Sequence, residues 1–73
     1  SPLVLNNKGL SYALDGDLNA AKQTLRAAAA ARGADARVRQ NLALVLALKG
    51  EMSEAERLAR SDLPPQVADQ NID

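Results

Sequence analysis

Apolar residues recur at helical spacing along this chain, in stretches separated by glycine. Leu3, Leu10 and Leu14, with Tyr12 and Ala13 beside them, form a stripe with a period near 3.6 rather than 2. Gly16, Gly33 and Gly50 interrupt the pattern, and Pro64-Pro65 stops it. Asp17 follows the first glycine and is placed to cap a second helix carrying Leu18, Ala21, Leu25 and Ala28 on one face. Asp35 caps a third, with Val38, Leu42, Val45, Leu46 and Leu48. Ser53-Glu54-Ala55-Glu56 reads as a capping box opening a fourth helix that runs to about Ser61. Pro64 or Pro65 suits the first turn of a fifth helix bearing Val67, Ala68 and Ile72. Five short helices with short connections predict an antiparallel, all-α stack with no strand.

Composition agrees and narrows the chemistry. Ala and Leu, both strong helix formers, fill 27 of the 73 positions, enough to outweigh the sparse β-branched residues. The length allows one small domain. Nine basic residues balance nine acidic ones, which argues against a nucleic-acid partner, since binding phosphates needs a cationic surplus. The longest apolar run, Leu42 to Leu48, is far short of the roughly 20 residues a membrane span requires, so direct membrane insertion is not expected. Without Cys or His there is no thiolate, imidazole base or disulfide, and Ser53 has no possible triad partner. Zinc would have to be held by carboxylates alone, and four scattered glycines make no phosphate cradle. Asp15-Gly16-Asp17 reads as a helix end, a turn glycine and an N-cap rather than an acid–base pair, and Tyr12 reads as core. The expectation is a non-catalytic protein with no cofactor. The opening Ser1-Pro2, with no initiator Met, reads as the start of a piece of a longer protein.

The strongest signal is internal repetition. Shifted by 34 residues, Asn7 falls on Asn41, Leu10 on Leu44, Ala13 on Ala47 and Leu14 on Leu48. Gly16 falls on Gly50, Ala21 on Ala55 and Arg26 on Arg60, while Tyr12 meets Leu46 and Leu18 meets Met52. Small residues at Gly9/Ala43 and Ala21/Ala55 allow two helix backbones to approach closely, with larger apolar neighbours filling the adjoining groove.

Helix–turn–helix units at this period resemble the tetratricopeptide repeat family. The first unit matches its pattern at Gly9, Tyr12, Gly16, Ala21, Leu25 and Ala28; the second keeps Ala43, Leu46, Gly50 and Ala55. The departures are Ala59 in place of a bulky residue, no early Trp in either unit, and Gly33 where Pro is common. The resemblance implies a right-handed α-solenoid of antiparallel hairpins, about two and a half units long. Unit one would span about 2–33, unit two about 35–62, and a further helix would begin at about 64–72. Several strings, among them Tyr-Ala-Leu-Asp-Gly-Asp-Leu, Arg-Val-Arg-Gln-Asn-Leu-Ala-Leu and Asp-Leu-Pro-Pro, are also similar to the TadD-type lipoproteins of bacterial tight-adherence (Flp pilus) assembly. That likeness implies a periplasmic or outer-membrane-associated parent, anchored by a lipid outside this chain.

Family resemblance also implies a protein or peptide partner in a groove lined by the first helix of each unit. Asn7 and Asn41 fall at one repeat position, and Asn71-Ile72 echoes Asn41-Leu42 at a spacing of 30, as a fourth helix one turn shorter would produce. An Asn side chain both donates and accepts, matching a peptide amide, and stacked Asn ladders are how the family holds extended segments. Gln40 joins these polar candidates, over an apolar floor of Leu10, Leu44, Ala13 and Ala47. Arg37, in the first turn of the third helix and aligned with Leu3, suits an acidic partner group, whereas Arg39 is placed to pair with Asp35 at i,i+4. Two alternatives remain open. The asparagines can be ordinary polar residues near helix starts, and the end helices (Leu3, Leu5 and Leu10; Val67 and Ile72) can mediate homo-oligomerisation.

Overall fold

The computed structural model describes residues 1–65, and these are all-α. Four helices follow one another: α1 (Pro2–Leu14), α2 (Leu18–Ala30), α3 (Ala36–Leu48) and α4 (Met52–Arg60), with no strand among the described residues. The candidate residues Val67, Ala68, Asn71 and Ile72 of the expected fifth helix lie outside the described residues.

Helix starts follow their caps. Ser1 Oγ accepts the Val4 N–H at 3.4 Å and Pro2 occupies the first turn of α1, where its missing N–H costs nothing. Asp17 Oδ1 accepts from Ala20 N–H at 3.1 Å, and Asp35 Oδ1 from Val38 N–H at 3.3 Å, so α2 and α3 begin where their aspartates predict. The capping box expected at Ser53 does not form. α4 begins two residues earlier, with Glu51 at the N-cap making no side-chain cap bond, and Ser53 lies inside the helix. The preceding turn decides this, because it repeats the first turn atom for atom. Gly16 N–H donates to Ala13 O at 3.0 Å and Asp17 N–H to Tyr12 O at 2.9 Å; 34 residues later, Gly50 N–H donates to Ala47 O and Glu51 N–H to Leu46 O, both at 2.9 Å. These are the paired bonds of a Schellman closure, which needs a left-handed residue at its centre. Gly16 (φ +82°) and Gly50 (φ +84°) supply it.

The three-residue turns fold α1 back on α2 and α3 back on α4, and the two hairpins then pack through α2 against α3, with α1 also touching α3. The core lies at that junction. Ala21, Leu25, Leu42, Val45, Leu46 and Ala55 form its buried centre, and Tyr12, Leu18, Ala29 and Leu58 close over it. Thus the buried cluster draws on both hairpins. Close approach within the first hairpin depends on Gly9: a Cβ there would stand 2.6 Å from Leu25 Cγ, and Leu25 is completely buried.

Ion pairs trim the junction on the α2–α4 side. Lys22 Nζ meets Glu51 Oε1 at 2.6 Å, Arg26 Nη2 meets Glu54 Oε1 at 2.7 Å, and Lys49 donates to Asn19 Oδ1. Lys22 and Arg26 of the first hairpin thereby face Glu51 and Glu54 of the second.

Candidate partner-binding surface

Not every apolar position of the helical stripes is buried. On α1, Leu3 is 62% exposed and Leu14 88%; on α3, Leu44 is 55% and Leu48 60% exposed. The leucines of the α1 stripe are therefore not its packing face; the buried residues of α1 are Asn6 and Gly9. The spacing explains it. Residues 3, 10 and 14 lie on one helix face, but α2 and α3 take up the neighbouring face, on which positions 6, 9 and 13 fall. Residues 44 and 48 hold the same places on α3, so two adjacent helices present matching leucines to solvent, with Leu10 half-buried between them.

The polar candidates lie around this leucine strip in different settings. Asn41 is half-buried and donates from Nδ2 to Asn6 Oδ1 at 3.0 Å, so its amide joins α3 to α1. Asn7 is exposed on α1, at the repeat position of Asn41. The pair that meets across the stack is therefore 6 with 41, and Asn6, only 3% exposed, is the residue that sequence reasoning passed over. Its signal was legible: Asn6, Gly9 and Ala13 stand at i, i+3 and i+7, the packing spacing. Arg37 is exposed and makes no ion pair among the described residues; it borders a cleft of about 190 Å³ with Leu3, Asn6, Asp35 and Val38, where α1 and α3 begin. Gln40, one turn further along α3, is exposed, and with Leu44 it borders an apolar groove between α3 and α4. Asn71 lies outside the described residues.

Arg39 does not take the i,i+4 partner expected for it. Its guanidinium forks onto Asp62 beyond α4, Nε to Oδ1 at 3.0 Å and Nη2 to Oδ1 at 2.7 Å, while Nη1 donates to the Ala34 carbonyl at 3.4 Å. A planar fork prefers a carboxylate it can grip with two nitrogens over one reached along its own helix. The hydrogen bond to Asp62 raises the Arg39 pKa and holds the Asp62 carboxyl below its ordinary value. Glu51 is likewise lowered, first by its hydrogen bond from Lys22. These perturbed groups tie elements together and stand apart from the leucine strip.

Among the described residues no group of three or more acidic side chains could hold a metal ion, and no helix is long and apolar enough to cross a membrane. Compared with family models, with curated proteins and with solved structures, the chain matches none.

Proposed function

We propose that this protein is a non-catalytic interaction module of the tetratricopeptide type, binding a partner segment along the face shared by α1 and α3. The observation that carries the reading is the repeated exposure of leucine: Leu14 and Leu48 stand at one repeat position, both in solvent, and Leu44 is exposed one turn before Leu48. Exposed apolar side chains that recur at equivalent positions are suited to contact a partner, and here they lie on the first helix of each hairpin. Arg37 and Asn7 flank the strip with a cation and an amide, which suits a segment carrying an acidic group and a free backbone amide. A role in bacterial pilus assembly rests only on resemblance of short strings to the TadD-type proteins.

Panning a random peptide library on the whole chain tests the proposal. Enriched peptides are expected to lose at least about tenfold in affinity, roughly 1.4 kcal/mol, when Leu14 and Leu48 are both changed to Ser. Helicity should hold, because both side chains are exposed. Peptides that bind the double variant equally well would remove this face from consideration.

Self-association is the second reading, and the leucine strip also motivates it. Head-to-tail stacking is disfavoured by α1 itself, which carries Lys8 and Ser11 where α3 buries Leu42 and Val45. Light scattering separates the readings: a mass independent of concentration excludes self-association.

A further inference from the structure

The ion pairs that join α2 to α4 stand beside an open groove of about 470 Å³ between the two helices. Its volume falls within the roughly 300–1,000 Å³ of clefts that seat ligands. Arg26, Ala29 and Ala30 border it from one side of α2, and Glu54, Arg57 and Leu58 from α4, each set at the i, i+3, i+4 spacing of a single helix side. Leu42 of α3, 5% exposed, reaches the bottom. The space exists because α2 offers two methyl groups opposite Arg57 and Leu58. None of the exposed leucines of α1 and α3 borders this groove, so the inference is independent of the leucine face.

Charge around the groove is unbalanced. Arg26 Nη2 donates to both carboxylate oxygens of Glu54 at 2.7 Å, which neutralises that acid. Glu54 is also the residue one turn before Arg57, the partner Arg57 would take along its own helix. Arg57 is consequently left exposed at the groove, with no ion pair or hydrogen bond among the described residues. The dipole of α4 favours a cation in the last turn, but Arg60 already stands there. Ser61, also bordering the groove, gives its hydroxyl hydrogen to Leu58 O at 2.6 Å, so its oxygen is left as an acceptor.

We propose that this groove docks a short segment of a partner protein carrying an aliphatic side chain beside a carboxylate. The aliphatic group lies over Ala29, Ala30 and Leu58, the carboxylate pairs with Arg57, and Ser61 Oγ accepts one backbone N–H of the segment. A guanidinium grips a carboxylate with two nitrogens, which fixes the direction in which the segment lies. The stretch of chain from Glu54 to Ser61 rises about 10 Å, the length of about three extended residues, so the recognised unit is short.

Acetylated, amidated pentapeptides with Leu, Ile or Val at the centre and Glu on one side or the other, titrated into the ¹⁵N-labelled full chain, provide the test. Amide shifts are expected at Ala29, Ala30 and Leu58, and Gln in place of Glu should weaken binding about threefold, the worth of a partly exposed ion pair. Arg57→Gln should weaken the Glu peptides by the same factor and leave the Gln peptides unchanged, while Arg57→Glu should prefer peptides with Lys. Ala30→Leu, at an exposed helical position, should fill the groove and weaken every peptide at least about tenfold with helicity retained. No shifts with any peptide, or equal binding of the Glu peptides by Arg57→Gln, overturns the proposal. Shifts confined to Leu14, Leu44 and Leu48 overturn it too, while leaving the leucine face standing. A mass that rises with concentration and returns to the monomer in Ala30→Leu assigns the groove to a second copy and likewise overturns it.

Discussion

Gly9 and Leu25 form one small–large pair, and the second hairpin answers it with Ala43 and Ala59. In the first unit the missing Cβ lets a fully buried leucine lie on the α1 backbone; in the second, both positions are alanine and border an open groove. Gly9→Ala should therefore destabilise by about 1–3 kcal/mol, because Leu25 must leave its rotamer to admit the methyl. Leu25→Ala alone should cost about 2–5 kcal/mol. The double variant, which copies the second unit, should cost clearly less than the sum, and urea titrations of the three proteins measure that coupling. The neighbouring asparagines separate as sharply. Asn41→Ala strands the buried Asn6 acceptor and should cost about 1–3 kcal/mol, whereas the exposed Asn7→Ala should change stability by less than about 0.5 kcal/mol. A 34-residue shift makes these two asparagines equivalent; the hydrogen bond of Asn41 to Asn6 distinguishes them.

The helices begin and end on signals of different reach. Asp17 and Asp35 act within one turn and are readable as caps directly from the chain, as are the turn glycines. Ser53 offered an equally good local signal and lost, because the Schellman closure at Gly50 had already placed the N-cap at Glu51. Asp17→Ala should accordingly lower stability by about 1 kcal/mol, with Ser53→Ala close to neutral in the same thermal melts. The connections between elements titrate. Glu51 and Asp62 have folded pKa values below their ordinary values of 4.5 and 3.8, so each adds stability that is fully present above the ordinary value. That contribution is lost as pH falls through the depressed folded value. Melting temperature should thus decline as pH drops below about 4.5, and the decline should be shallower in Glu51→Gln with Asp62→Asn, since amides do not titrate there.

The described part of the molecule is a thin body, 35 × 27 × 14 Å, and only Leu25, Leu46 and Val45 are large side chains buried to completion. Stability in so shallow a stack comes from the junction of the hairpins, because the buried cluster draws on both. A peptide of residues 1–33 should consequently show little helix by circular dichroism in water, as short helices without a packing partner do not persist. The rim pairs Lys22–Glu51 and Arg26–Glu54 are partly exposed, so raising salt should shift the melt only slightly.

Local chemistry in the chain was sufficient to establish an all-helical protein, its turns, two of its caps and a 34-residue duplication, because helix propensity, capping and glycine conformation act over a few residues. Which apolar stripe would be buried was a matter of packing. Leu3, Leu14 and Leu48 are as apolar as Leu25, and they face solvent because α2 and α3 approach α1 from the side of Asn6 and Gly9. The partners of Asn41 and Arg39 were settled the same way, by residues 35 and 23 positions away that only the stacked hairpins bring within hydrogen-bonding distance.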